Sequence, residues 1–144
     1  MSVVSLVQLK TNKRCKLTNT AFSKLKPIFT NKHVGVEIKI RIFNALLSSI
    51  CLYNCKLWTL TDTLERKIDA FQRHLLCRVL NIRWDPNNNW ITNEQLYERA
   101  GQKPWSTTIV TRCLRVFGHI CRLPDSAPAL KALYKGLRKT KKIR

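Results

Sequence analysis

Along most of the chain apolar residues return at steps of three and four, the period of a helix face and not of a strand. Between Thr20 and Thr30, Phe22, Leu25 and Phe29 keep this spacing, although Pro27 interrupts the segment. Over about 35–54, Ile38, Ile42, Ala45, Ser49 and Leu52 predict one face of a second helix, with Leu46 and Ile50 beside it. The clearest pattern runs over about 62–81, where Leu64, Ile68, Phe71, Leu75 and Val79 align. Thr61 or Asp62 offers its N-cap oxygen, and Asp62-Thr-Leu-Glu65 has the form of a capping box.

The stretch Trp84–Trp90, with Pro86 and three Asn, reads as a loop. Thr92-Asn-Glu-Gln95 opens a short helix that should stop near Gly101. A further helix, capped by Ser106, is expected to reach about Arg122, where Pro124 and Pro128 punctuate its end. A last helical segment is expected over 128–138. Strand-like alternation is confined to the first ten residues. The expected architecture is all-α, an irregular bundle of five or six helices. Residues 1–17 are read as a poorly ordered remnant, 18–135 as the helical domain and 136–144 as a basic, disordered tail.

At 144 residues the chain is one domain's worth, and 44% hydrophobic residues suffice for a core. Gly 4 and Pro 5 exclude collagen-like and Pro/Gly-rich classes, and no apolar run approaches a membrane span. The N-terminus lacks the pattern of a secretory signal, because Ser5 and Gln8 break its apolar run and no basic residue precedes it. An intracellular protein, nuclear or cytoplasmic and not secreted, is therefore expected. In a reducing compartment the six cysteines are free thiols. Their spacing contains no Cys-x-x-Cys, and the combination of Cys51 and Cys55 with Cys113, His119 and Cys121 departs from zinc templates. They are read as small buried hydrophobes, with no metal and no cofactor.

Charge changes the picture most. Lys and Arg number 27 against 8 Asp and Glu, a formal +19. Residues 1–36 and 131–144 each hold seven Lys or Arg and no acid. Such an excess calls for a polyanionic partner. On the helix from Ser106, Arg112, Arg115, His119 and Arg122 fall within an arc of about 80°. Val110, Leu114 and Phe117, flanked by Ile109, Cys113 and Val116, are read as the core face. On the helix at 62–81, Lys67, His74 and Arg78 form a second basic row, with Arg66 and Arg73 beside it. A phosphate backbone is gripped by such rows; the other reading is a solvated face partly paired with Glu65, Asp69, Glu94 and Glu98. Trp58, Trp84 and Trp105 are expected to close the core, while Trp90 is left between that role and base stacking.

No Gly-rich phosphate loop, His-Glu-x-x-His or paired-carboxylate spacing is present. The residues thus describe a binding module, not a catalyst, with no small-molecule substrate.

Seven stretches in order carry a resemblance. They are Lys39-Ile-Arg-Ile-Phe-Asn-Ala-Leu-Leu47, Leu52-Tyr-Asn-Cys-Lys-Leu-Trp-Thr-Leu-Thr61, Ile68-Asp-Ala-Phe-Gln-Arg73 with Leu80-Asn-Ile-Arg-Trp84, Thr92-Asn-Glu-Gln-Leu-Tyr97, Cys113-Leu-Arg-Val-Phe-Gly-His119 and Arg122-Leu-Pro124. Together they resemble the region downstream of the polymerase palm in non-LTR (LINE-type) retrotransposon reverse transcriptases, over about 18–135. The resemblance implies a helical thumb that grips the template–primer duplex, followed by a C-terminal extension. It also implies that the catalytic aspartates lie upstream, and this chain has no Asp-Asp. Departures from the family pattern are Lys56 in place of an acid, Leu76-Cys77-Arg78 after the Phe-Gln-Arg motif, and Val116 in place of Trp.

The expected property is sequence-independent binding of RNA or an RNA–DNA hybrid, without catalysis, by a fragment of a retrotransposon RNA-directed DNA polymerase. The residues expected to contact nucleic acid are Lys67, Arg78, Arg112, Arg115, Arg122, Arg138, Lys139, Lys141 and Lys142. The run Arg138–Arg144 also has the composition of a nuclear localisation patch. The alternatives are a stand-alone basic helical protein associated with RNA or chromatin, and a translated relic without selected function.

Overall fold

The computed structural model describes residues 2–82 and 91–141, which are all-α and contain no strand. The helices are α1 (Val3–Thr30), α2 (Val36–Ile42), α3 (Ser49–Cys51), α4 (Asp62–Val79), α5 (Asn93–Ala100), α6 (Trp105–Cys121) and α7 (Pro128–Lys141). A π-helical segment, Phe43–Ser48, joins α2 to α3 in one rod, and a 3-10 turn, Cys55–Leu57, follows.

Helix α1 starts well before the expected ordered boundary at residue 18. Val7, Thr11, Thr18, Phe22 and Phe29 recur at +4, +7, +4 and +7, and all five are buried. This heptad-like row gives the first half its own core face. Thr11 and Thr18 return their hydroxyls to the carbonyls of Val7 and Arg14, at 2.9 and 2.8 Å, so two polar residues enter that face without stranding a donor. Pro27 lies inside the helix. It removes one backbone bond near the C-terminal end, while Phe22 and Phe29 stack at 5.2 Å and hold the turns around it against the core.

The rod from α2 to α3 buries a different row from the one its sequence suggests. Lys39, Phe43, Leu47 and Cys51 are buried, whereas Ile38 and Leu46 are about half exposed. Steps of four drift around an α-helix. The wider i→i+5 turn of Phe43–Ser48 reverses that drift and keeps the row in line.

Helix α4 is the central element and touches α1, α5 and α6. The Thr61 side chain accepts from the backbone N–H of Leu64, and Leu64, Ile68, Leu75, Leu76 and Val79 are buried. Asn81, at φ 54°, ends the helix, with the Ile82 N–H reaching the Cys77 carbonyl at 2.8 Å. Helix α5 carries the full Thr92–Gln95 capping box and stops at Gly101, where φ is 57°.

Helix α6 differs from expectation at its start and on its faces. Its N-cap is Pro104, and Ser106 is inside the helix. The orphan donors of the first turn are met from α4: Gln72 Oε1 accepts the Trp105 N–H at 2.7 Å, and Asp69 Oδ1 accepts the Ser106 N–H at 2.9 Å. The Ser106 hydroxyl donates to the other oxygen of Asp69 at 2.6 Å. This clamp sets the rotation of α6. Trp105 and Ile109 enter the core, and Val110, Leu114 and Phe117, read from sequence as the core face, stand 45%, 62% and 46% exposed.

Trp105 stacks on Phe43 at 5.8 Å, and Trp58 is buried, so both take the core role expected of them. The expectations for Trp84, Trp90 and their loop lie outside the described residues. Helix α7 continues through Lys141, past the expected end at 138 and into the stretch read as a tail. None of the helices is long and apolar enough to cross a membrane, among the described residues.

Candidate nucleic-acid interface

The 3-10 turn Cys55–Leu57 packs against α6. Cys55 is buried beneath it, and the half-buried Cys113 thiol donates to the carbonyls of Lys56 at 3.4 Å and Cys55 at 3.7 Å. The Arg112 guanidinium approaches Cys55 Sγ at 3.7 Å. These contacts place Lys56 opposite the basic edge of α6. Between them lies an open groove of about 370 Å³, lined by Lys56, Arg112, Arg115, Val116 and His119. No acid among the described residues lines it.

The sequence pairs Arg112, Arg115 and His119 through helical periodicity. It gives no pattern for Lys56, which is 56 positions before Arg112 and joins them only through the fold. Its one sequence signal is its own charge. Val116 gives the groove an apolar floor. The groove thus sets cationic side chains beside an apolar one.

The other candidate residues are dispersed. Lys67 Nζ donates to Asn12 Oδ1 on α1 at 2.8 Å, and the Arg78 guanidinium lies 3.9 Å from the centre of the Phe22 ring. Both side chains therefore seat α4 against α1, and neither lines the groove. Arg122 is the exposed C-cap residue of α6, outside the groove lining. Arg138, Lys139 and Lys141 fall on α7. Their side-chain positions, and Lys142 altogether, lie outside the described residues.

A second, mixed-charge hollow is lined by Asp62, Glu65, Arg66, Asp69 and Arg73. Its acids compensate its cations and disfavour a polyanion there. Among the described residues no three His, Cys, Asp or Glu side chains form a group able to hold a metal ion.

The thiols of Cys15 on α1 and Cys51 on α3 are in contact. The contact with Cys51 and the charge of Lys67 lower the Cys15 thiol below its ordinary range, while the contact with Cys15 and burial raise Cys51. Burial also raises Cys113 and Cys77.

No protein-family model, curated protein or solved structure matches the chain.

Proposed function

We propose that this chain grips RNA or an RNA–DNA hybrid without sequence preference, through the groove between the 3-10 turn and α6. The observation that supports this most is the convergence of Lys56, Arg112, Arg115 and His119 on one groove with an apolar floor and no acid among the described residues that line it, in a chain of net charge +19. Phosphates entering the groove release counterions from the duplex or strand they belong to, which drives binding and makes it steeply salt-dependent. The floor supplies no donor or acceptor pattern that would read a base, so affinity is uniform across sequences.

With the sequence resemblance, we assign the chain as the helical segment that follows the palm in a non-LTR retrotransposon reverse transcriptase. In that setting it holds template and primer while a separate palm carries out polymerisation. The chain by itself performs no nucleotide transfer.

The test is a salt titration of binding to a labelled RNA–DNA hybrid. Arg112→Glu with Arg115→Glu should weaken binding and flatten the slope of log K against log salt by about two units. Lys67→Gln should leave the slope unchanged. Wild-type affinity in the double variant would remove the groove from the interface, and incorporation of labelled nucleotide by the purified chain would refute the absence of catalysis.

A further inference from the structure

The groove has a neighbour that its cations do not explain. The link between α3 and the 3-10 turn presents Tyr53, 62% exposed, three residues before Lys56 in sequence, and the turn itself ends on Leu57, 71% exposed, one residue after it. Asn54 takes the left-handed conformation at φ 59°, which reverses the chain between Tyr53 and the buried Cys55. The Arg14 guanidinium from α1 lies 4.4 Å from the centre of the Tyr53 ring. Tyr53 is therefore held on one face by a cation and stays largely open to solvent. Three residues of chain span at most about 11 Å, so Tyr53 lies within a few nucleotides' reach of Lys56.

An exposed aromatic ring backed by Arg, three residues along the chain from a groove cation, has the elements that stack unpaired bases. A duplex keeps its base faces covered and has little to offer such a ring. We propose that Tyr53, backed by Arg14 and flanked by Leu57, is a stacking platform for unpaired nucleotides whose phosphates run into the Lys56–Arg112–Arg115 groove. This rests on the groove binding nucleic acid, and it extends that reading to a particular substrate: a single strand, or the single-stranded overhang of a hybrid.

The experiment compares a labelled oligouridylate with a blunt RNA–DNA hybrid of equal length, using the full chain. Tyr53→Ala should weaken oligouridylate binding by about 5- to 100-fold, the range of one lost base stack, and leave the blunt hybrid within twofold. Its salt slope should stay at the wild-type value, because stacking releases no counterions. Tyr53→Phe should restore binding, and Leu57→Ala should give a smaller loss with the same preference. Tyr53 is exposed, and circular dichroism of each variant should match wild type. If Tyr53→Ala binds oligouridylate like wild type while the Arg112/Arg115 double variant does not, the platform is refuted and the groove stands. If Tyr53→Ala weakens both ligands equally, the preference for unpaired bases is refuted. If wild type binds neither ligand, the groove reading fails as well.

Discussion

The sharpest test of the fold is Gln72→Met. Gln72 is fully buried on α4. Its Oε1 accepts the Trp105 N–H at 2.7 Å and the Tyr97 hydroxyl at 3.4 Å, and its Nε2 donates to the Lys103 carbonyl at 2.9 Å. One amide thus ties the end of α5, the connecting loop and the first turn of α6 to the central helix. Methionine nearly matches the volume and removes only the hydrogen bonding. Two strong partners, the Trp105 N–H and the Lys103 carbonyl, are left unpaired at about 1–3 kcal/mol each, and the thioether's apolar burial offsets about 1 kcal/mol. The net loss should be about 1–5 kcal/mol, a large part of a domain's stability of roughly 5–15 kcal/mol. For a chain of this length that lowers Tm by about 3–20 °C in a thermal melt followed by circular dichroism. Asp69→Asn removes the charge that faces the α6 N-terminus and should cost about 1 kcal/mol alone. It should cost less in the Gln72→Met background, because both side chains cap the same turn. A fall in Tm below about 3 °C for Gln72→Met would refute the clamp.

Three further substitutions and one pH change test separate parts of the structure. Ser48 Oγ is buried without a hydrogen-bond partner among the described residues, so Ser48→Ala should stabilise the rod by about 1 kcal/mol in a denaturant titration. Ile109→Ala, which opens a cavity at a fully buried position, should cost about 2–5 kcal/mol, whereas Leu114→Ala at a 62% exposed position should change stability by less than about 1 kcal/mol. The thiols of Cys51, Cys77 and Cys113 are raised above the ordinary value of 9.0, Cys51 by its contact with Cys15 and by burial, the other two by burial. Above that pH the unfolded chain has released protons that the folded chain still holds, so stability should fall as pH rises from about 8 to 10.5. Cys15, lowered chiefly by its contact with Cys51, opposes the trend. A Tm that rises over this interval would contradict the buried-thiol assignment.

Helix α4 was legible in the sequence because its apolar row is narrow and its cap is local: Thr61 accepts from a donor three residues on. The same holds for α5, where Thr92 and Gln95 close a reciprocal box. Helix α6 was legible in extent but not in rotation. Apolar residues cover more than half its circumference, so Ile109, Cys113 and Val116 compete on equal terms with Val110, Leu114 and Phe117. What decides between them is the hold of Gln72 and Asp69 on Trp105 and Ser106, a contact across more than 30 residues that no periodicity records. The rod α2–α3 hid its buried face for a local reason: the π segment alters the turn on which a helical wheel depends. The candidate groove divides along the same line. Arg112, Arg115 and His119 share a helix edge and are visible as a stripe. Lys56 reaches them only because the Cys113 thiol and the Arg112 guanidinium seat the 3-10 turn against α6, and Lys67 and Arg78, an equally regular stripe on paper, are drawn onto α1 by Asn12 and Phe22. A stripe on a helical wheel therefore records which cations share an edge, and the contacts made by the neighbouring elements decide which of them line a common groove.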